Sequence, residues 1–217
     1  SPNGWKGHSG LIGAYLGNQL RMKGVTVEIG SLHAAFSSET KMQEVANAAQ
    51  SADQIVLTVP LYEDQLPAPV IHALAGIAGL LRNSPGTKLP RLAVLVNSGF
   101  PEAVHNDVAL AIYRQFAVTN GWEWAGGLEI PGGGMLDGKS LESLGPRSRR
   151  IQQALDLTAV ALASGAPVPA RAFEKARRPS IPAGLYRFMA NCGFRWHARG
   201  TSLKAQPLNV ETASHVQ

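Results

Sequence analysis

The opening stretch "SPNGWKGHSG" has glycine at every third position, Gly4, Gly7 and Gly10, and an apolar helix pattern follows directly. Glycine lets the backbone turn tightly, and a helix N-terminus presents unpaired N–H groups and the positive end of its dipole. Such a structure binds anions, so the stretch predicts a phosphate site, with Ser9 placed to cap the helix. Taken alone, the stretch also fits an ordinary capped helix start. The candidate phosphate ligands are Ser1, Asn3, Lys6, His8 and Ser9.

Two more loops with binding chemistry follow apolar stretches, "VPLYEDQLPAPV" and "VNSGFPEA". In the first, Leu61 and Tyr62 offer an apolar rim on which a planar ring can pack. The second offers backbone and side-chain donors and a further aromatic face. Each also fits a simpler interpretation, a solvated turn in the first case and a common strand-to-helix loop in the second. The candidate residues of the two loops are Pro60, Leu61, Tyr62, Glu63, Asp64, Asn97, Ser98, Gly99 and Phe100.

Hydrophobic periodicity predicts the elements that must position these loops. Strands that alternate with helices form an open parallel sheet covered on both faces, and ligands bind beyond the carboxyl ends of its strands. A doubly wound unit of this kind would begin with a strand immediately before Ser1, and we expect that strand to be missing from this sequence. The predicted strands cover 25–29, 53–60, 91–99 and 122–130, and the predicted helices 11–20, 39–51, 67–82, 147–164 and a segment with Val104, Val108, Ile112 and Phe116 on one face.

The three loops together resemble those of the flavodoxin-like NAD(P)H-dependent oxidoreductases, the FMN reductase and quinone reductase group. The likeness covers residues 1 to about 165, with "SPNGWKGHS" as the FMN phosphate loop, "PLYEDQLPAPV" as the isoalloxazine loop and "NSGFPEA" as the third flavin loop. It implies a flavodoxin-like doubly wound parallel sheet within the α/β class. It also implies that bound FMN takes hydride from NAD(P)H and passes it to a quinone or similar small acceptor, without a catalytic side chain.

The resemblance further implies a place for each loop around the cofactor. The five candidates of the opening stretch would surround the phosphate, Pro60 to Asp64 would line the ring, and Ser98 to Phe100 would lie at its far edge. A short phosphate loop without an adenine-binding half predicts FMN rather than FAD.

A non-enzymatic electron carrier of the flavodoxin type is the alternative to an enzyme. Such carriers are usually strongly acidic so that they can meet basic partners. This chain has a net charge of +5, which favours the enzyme.

One short motif points to a different function. The segment "GGMLDGKS" (133–140) matches the P-loop pattern of nucleoside triphosphatases. A P-loop should open a long helix, yet Gly145 and Pro146 follow within a few residues. The other predicted buried strands also lack a terminal acidic residue that could hold magnesium. We therefore expect this segment to form a flexible rim over the flavin.

The amino-acid composition excludes several other kinds of site and protein. The single cysteine, Cys192, excludes an internal disulfide and a cysteine-rich zinc site, and it favours a reducing, cytoplasmic location. The six histidines show no H-x-x-x-H spacing, so we expect no metal site. No apolar run reaches the roughly 18 residues that a membrane-spanning helix needs.

The basic charge lies in the C-terminal third. Residues 1–138 carry a net charge of −3 and residues 139–217 carry +8. We therefore predict an FMN-binding domain over 1–166 and a basic, helical C-terminal extension over 167–217.

Apolar residues within 171–200 fall at helical spacing among arginines. We predict a helix that docks on the main domain or on a second subunit of a homo-oligomer, which would bury Leu185 and Phe188. The alternative is a basic amphipathic helix lying on an anionic membrane surface. Nucleic-acid binding is not expected, because the sequence contains no recognised nucleic-acid-binding module.

Overall fold

A computed structural model of the chain describes residues 7–36, 38–82, 88–133, 139–179 and 182–200. Three strands form one parallel sheet in the order β1-β2-β3: β1 (Gln54–Pro60), β2 (Arg91–Asn97) and β3 (Glu123–Ile130). Pro60 pairs with Asn97, and Asn97 pairs with Ile130. The carboxyl ends of all three strands therefore lie at one level, and the loops that follow them leave from the same edge of the sheet.

Helices cover both faces of this sheet, as predicted. One apolar cluster combines β2 and β3 with α1, α6 and α7, and the other combines all three strands with α3, α4 and α5. The α/β class with a parallel sheet is thus confirmed. The helices are α1 (His8–Met22), α2 (Leu32–Phe36), α3 (Glu39–Ser51), α4 (Ala68–Arg82), α5 (Asp107–Thr119), α6 (Arg149–Ala163), α7 (Ala170–Arg177) and α8 (Ala183–Gly200), with short 3-10 helices at Ala103–Asn106 and Glu142–Arg147.

The strand predicted over 25–29 is wrong. Among the described residues no strand pairs with this segment, which instead stays close to the end of α1. The Val25 N–H donates to the Leu20 carbonyl at 3.1 Å, and the Arg21 guanidinium donates to the Val27 carbonyl at 3.1 Å. Val25 and Val27 pack against the first apolar cluster. The alternating pattern therefore reflects two valines that pack on the core, without a neighbouring strand to complete a ladder.

The buried face of α5 also differs from the expected one. Ala109, Tyr113 and Ala117 are buried, whereas Val108, Ile112 and Val104 of the preceding 3-10 helix are exposed. Of the predicted face, Phe116 does pack against the core. Tyr113 is a large side chain that is fully buried, and Leu110 closely approaches β3. A β-carbon added to Gly127 of β3 would lie 2.5 Å from Leu110 Cδ1 of α5. The glycine in β3 therefore leaves room for the Leu110 side chain.

The chain divides into two compact units, residues 1–181 and 182–217. The first unit extends beyond the boundary expected at 166, because α7 packs on α6 and β3 and buries Ala172 and Ala176. Just before α7, the Val168 N–H donates to the Ala125 carbonyl at 2.7 Å, along the outer edge of β3.

Helix α8 belongs to the second unit. The expected burial of Leu185 and Phe188 is not found, because both side chains are exposed. The predicted docked helix over 171–200 is therefore two helices with different environments. Among the described residues, no helix has both the length and the apolar character that crossing a bilayer requires.

Candidate functional site

The start of α1 and the ends of β1 and β2 meet at the carboxyl edge of the sheet. The Ser9 hydroxyl donates to Asn97 Oδ1 at 2.8 Å, and both residues are buried. The Leu61 N–H donates to the Asn97 backbone carbonyl at 2.8 Å. Asn97 therefore fixes the first helix through its side chain and the loop after β1 through its backbone.

The N-terminus of α1 carries the features of an anion site, although Ser9 does not cap it. The helix begins at His8, Gly7 occupies the N-cap position, no side chain among the described residues caps the helix, and its first turn contains no acidic residue. Leu11 makes the first intrahelical hydrogen bond, to the Gly7 carbonyl at 3.0 Å. The preceding N–H groups thus have no acceptor within the helix.

The predicted capping role of Ser9 is wrong because the residue lies inside the first turn, where its hydroxyl turns inward to Asn97. A hydroxyl has one proton to donate. Ser9 can therefore offer its backbone N–H to an anion while its side chain holds Asn97.

The segment after β3 completes this edge. The Gly132 N–H donates to the Phe100 carbonyl and the Gly133 N–H to the Ser98 carbonyl, each at 2.7 Å. A β-carbon on Gly133 would lie 3.1 Å from Ser98 O, 3.2 Å from Asn97 Nδ2 and 3.4 Å from His8 Nδ1. The His8 imidazole and the Asn97 amide thus converge beside a glycine that leaves room for them.

The loop after β1 ends in a tight turn at its tip. Tyr62 and Gln65 exchange backbone hydrogen bonds of 2.8 and 3.2 Å, and Glu63 and Asp64 between them have positive φ angles of 49° and 59°. For residues other than glycine this backbone conformation costs free energy, and contacts with neighbouring residues are needed to maintain it. The Asp64 side chain makes one such contact.

His105 links this turn to the loop after β2. Its Nδ1 donates to Asp64 Oδ1 at 3.1 Å, and its ring stacks on Phe100 with centroids 4.2 Å apart. Sequence reasoning treated His105 as one of six scattered histidines. The signal available was its position in the first turn after the third loop, five residues beyond Phe100. The two loops predicted to hold a planar ring are therefore joined by a side chain that the prediction did not include.

Ser98 and Asn106 form a second buried polar pair beneath the loop after β2. Asn106 Nδ2 donates to Ser98 Oγ at 3.1 Å, and both side chains are buried. Asn106 Oδ1 is buried and has no hydrogen-bond partner among the described residues. The Ser98 hydroxyl is thus engaged with the protein, and this loop offers a ligand the Phe100 ring.

A buried carboxylate lies on β3, and sequence reasoning missed it as well. Glu129 is only 2% exposed. Arg177 of α7 donates to Glu129 Oε2 and, at 2.7 Å, to Asp107 Oδ1 at the start of α5. Burial raises the pKa of Glu129 to about 7, although the Arg177 charge acts in the opposite direction. The available signal was a glutamate inside the otherwise apolar strand end "GGLEI".

The structure thus brings together the candidates His8, Ser9, Asn97 and Ser98, and it connects Asp64 with Phe100 through His105. Ser1, Asn3 and Lys6 lie outside the described residues. Lys139 and Ser140 of the P-loop match begin no α-helix, since a 3-10 helix starts at Glu142 and α6 starts only at Arg149. In the part of the chain that the structure describes, no group of three or more His, Cys, Asp or Glu side chains could hold a metal ion.

The Ser9–Asn97 hydrogen bond gives a first testable prediction. We expect Ser9→Ala to lower the free energy of unfolding by about 1–3 kcal/mol, because Asn97 Oδ1 would remain buried without its donor. Chemical denaturation followed by circular dichroism measures the change. Ser51→Ala, which removes an exposed hydroxyl bonded to the Ala48 carbonyl, is the matched control. Equal effects of the two variants would contradict a structural role for the Ser9 hydroxyl.

Comparison of the chain with protein-family models, with curated proteins and with solved structures finds no match in any of the three. The function of the site is therefore inferred from the residues and the geometry of this chain.

Proposed function

We propose that this protein binds FMN at the carboxyl edge of a flavodoxin-like sheet and catalyses the NAD(P)H-dependent reduction of a quinone or similar small acceptor. The observation that carries the proposal is the convergence on Asn97 of the α1 N-terminus and the loop after β1. Bound FMN would supply hydride transfer between the nicotinamide and the acceptor. The protein's own groups would bind and orient the cofactor and exclude water around it.

The start of α1 fits a phosphate monoester. Its N–H groups precede the first intrahelical hydrogen bond, no carboxylate lies in the first turn, and the His8 imidazole lies alongside. A dianionic phosphate is stabilised by such N–H groups and by the helix dipole. One helix N-terminus suits the single phosphate of FMN.

The loops after β1 and β2 fit a planar ring. Tyr62 and Phe100 are 46% and 44% exposed, so each presents aromatic surface that a ring could cover. A β-carbon added at Gly99 would meet no atom within 4 Å, so the backbone beside Phe100 can be approached closely.

His105 is suited to handle a proton in this reaction. The Asp64 carboxylate accepts the Nδ1 hydrogen and so orients the imidazole. This arrangement leaves Nε2 as the nitrogen that exchanges a proton with a bound acceptor, since reduction of a quinone by hydride also consumes a proton.

We expect Tyr62→Ala and Phe100→Ala each to weaken FMN binding by about tenfold or more, because each removes a stacking surface. Titration of the protein into FMN, followed by flavin fluorescence, measures the affinity. Val118→Ala removes an even more exposed apolar side chain at the far end of α5 and is the control. Unchanged affinity in both aromatic variants, or an equal loss in the control, would refute this placement of the ring.

The activity itself is tested by loading the protein with flavin and following NADH or NADPH oxidation in the presence of a soluble quinone. We expect quinone-dependent turnover and recovery of FMN by chromatography of the released flavin. No flavin binding, or recovery of FAD, would contradict the proposal. FMN binding without nicotinamide oxidation would instead favour the electron carrier.

A further inference from the structure

Helix α8 exposes a line of large apolar side chains. Leu185, Phe188 and Met189 are 50%, 65% and 57% exposed. Their spacing of three and four residues places them on one face, which the exposed Cys192 extends by a further turn. Three adjacent apolar side chains on the surface of a separate unit indicate an interaction surface.

The charged residues of α8 are all positive. Between residues 182 and 210 the sequence contains Arg187, Arg195, Arg199 and Lys204 and no aspartate or glutamate. Arg187 and Arg195 are exposed on the helix itself. A helix with an apolar face and only positive charge complements an anionic lipid surface, where arginine meets headgroups while the apolar side chains enter the acyl region.

We propose that α8 binds the surface of an anionic membrane, lying in its plane with Leu185, Phe188 and Met189 inserted among the lipids. Pairing with a second copy of α8 is disfavoured, because it would bring together two helices that carry positive charge and no acidic residue. The narrow apolar face and the excess of arginine are both explained by a headgroup layer.

The proposed membrane-binding surface of the protein is confined to α8, although the sequence suggested that it extends over residues 171–200. Basic residues of α7 have partners inside the first unit: Arg177 bonds Glu129 and Asp107, and Lys175 donates to Gln153 Oε1 at 3.0 Å. Ala172 and Ala176 are buried. Helix α7 thus packs on the core of the first unit, and the exposed apolar side chains lie on α8.

Sedimentation of the full chain with lipid vesicles tests the proposal. We expect the protein to sediment with vesicles of equal parts phosphatidylcholine and phosphatidylserine and to stay in solution with phosphatidylcholine alone. Raising NaCl from about 0.1 M to about 1 M should release it, because the Debye length falls from about 10 Å to about 3 Å. The combined change Arg187→Gln and Arg195→Gln should weaken binding on the order of tenfold.

A pair of triple variants distinguishes α8 from other exposed apolar surface. Leu185→Gln, Phe188→Gln and Met189→Gln together should abolish sedimentation. The matched control, called the α5 variant, combines Val108→Gln and Ile112→Gln on α5 with Val104→Gln in the preceding 3-10 helix. It removes three similarly exposed side chains and should bind vesicles like the unmodified chain. Thermal unfolding by circular dichroism verifies that both variants are folded.

Several results would overturn the proposal. These are equal binding to neutral vesicles, loss of binding in the α5 variant alone, and retained binding in the folded α8 variant. The proposal would also be overturned if the protein bound no vesicles but formed a dimer, and the α8 variant were monomeric. The apolar face of α8 would then bind a second copy of the chain.

Discussion

Replacing Arg177 by methionine is expected to destabilise the protein by about 1.5–3 kcal/mol at pH 8, because the change removes hydrogen bonds to two carboxylates, one of which is buried. Arg177 holds the buried Glu129 and the Asp107 carboxylate, and its guanidinium lies 5.2 Å from the Phe173 ring centroid. Methionine preserves most of the apolar part of the side chain, so the measured loss of stability reflects the missing guanidinium group. Denaturation with urea, followed by circular dichroism, measures the free energy of unfolding.

Arg178→Met is the matched control for this experiment. Arg178 adjoins Arg177 but is exposed at the end of α7. Its loss should change the free energy of unfolding by no more than about 0.5 kcal/mol. Similar losses in the two variants would show that Glu129 needs no compensating charge. Lowering the pH to 5.5 should reduce the cost of Arg177→Met, because Glu129 is then largely protonated and places no charge beside the missing cation.

The second large effect is the pH dependence that Glu129 confers on stability. Its pKa rises on folding from about 4.5 to about 7, chiefly because the carboxyl is buried. The folded protein therefore binds more protons than the unfolded chain between these values. Stability from this group is highest below about pH 4.5 and falls as the pH rises towards 7, by up to about 1.4 kcal/mol per pH unit. Above the folded pKa no further loss occurs.

Glu129→Gln should remove this dependence while keeping an acceptor for Arg177. The difference in unfolding free energy between the variant and the unmodified protein should then grow in favour of the variant, by about 2–3 kcal/mol from pH 4.5 to pH 8. Glu123→Gln on the same strand, at an exposed carboxylate, controls for the loss of one negative charge. A constant difference across this range for Glu129→Gln would show that Glu129 ionises alike in both states.

The three strands of the sheet could be predicted because a parallel strand buried on both faces has a continuous apolar sequence. "RLAVLVN" has this character and is β2. "VTVEI" has the alternation of a strand, yet the alternation says nothing about whether a neighbouring strand is present. In α5 the apolar pattern suggested a face that contains Val108 and Ile112, whereas the buried face contains Tyr113 and two alanines. Room for the neighbouring Leu110 side chain depends on Gly127 in β3 and cannot be read from α5 itself.

The sequence was sufficient to predict which loops form the site, but only some of the contacts between their residues. Strand-end loops of a parallel sheet meet at one edge, so Ser9, Asn97 and Leu61 were expected near each other. The hydrogen bond from Ser9 to Asn97 joins residues 88 positions apart, and that from Arg177 to Glu129 joins residues 48 apart. Partner choice over such separations depends on helix orientation and strand register. His105 and Glu129 were missed for this reason.

The parallel arrangement of the strands also determines when the binding edge can form. Arg91 bonds Gln54, 37 residues earlier, and Glu123, 32 residues later. Even the contacts between neighbouring strands therefore require the closure of long loops. Closing them costs chain entropy before any strand pairing compensates, whereas single helices form within about a microsecond. We expect the helices to appear first on refolding and the sheet to appear late. The start of α1 meets Asn97 only after β2 is in place, so the rate of strand closure limits how fast a newly folded chain acquires its binding site.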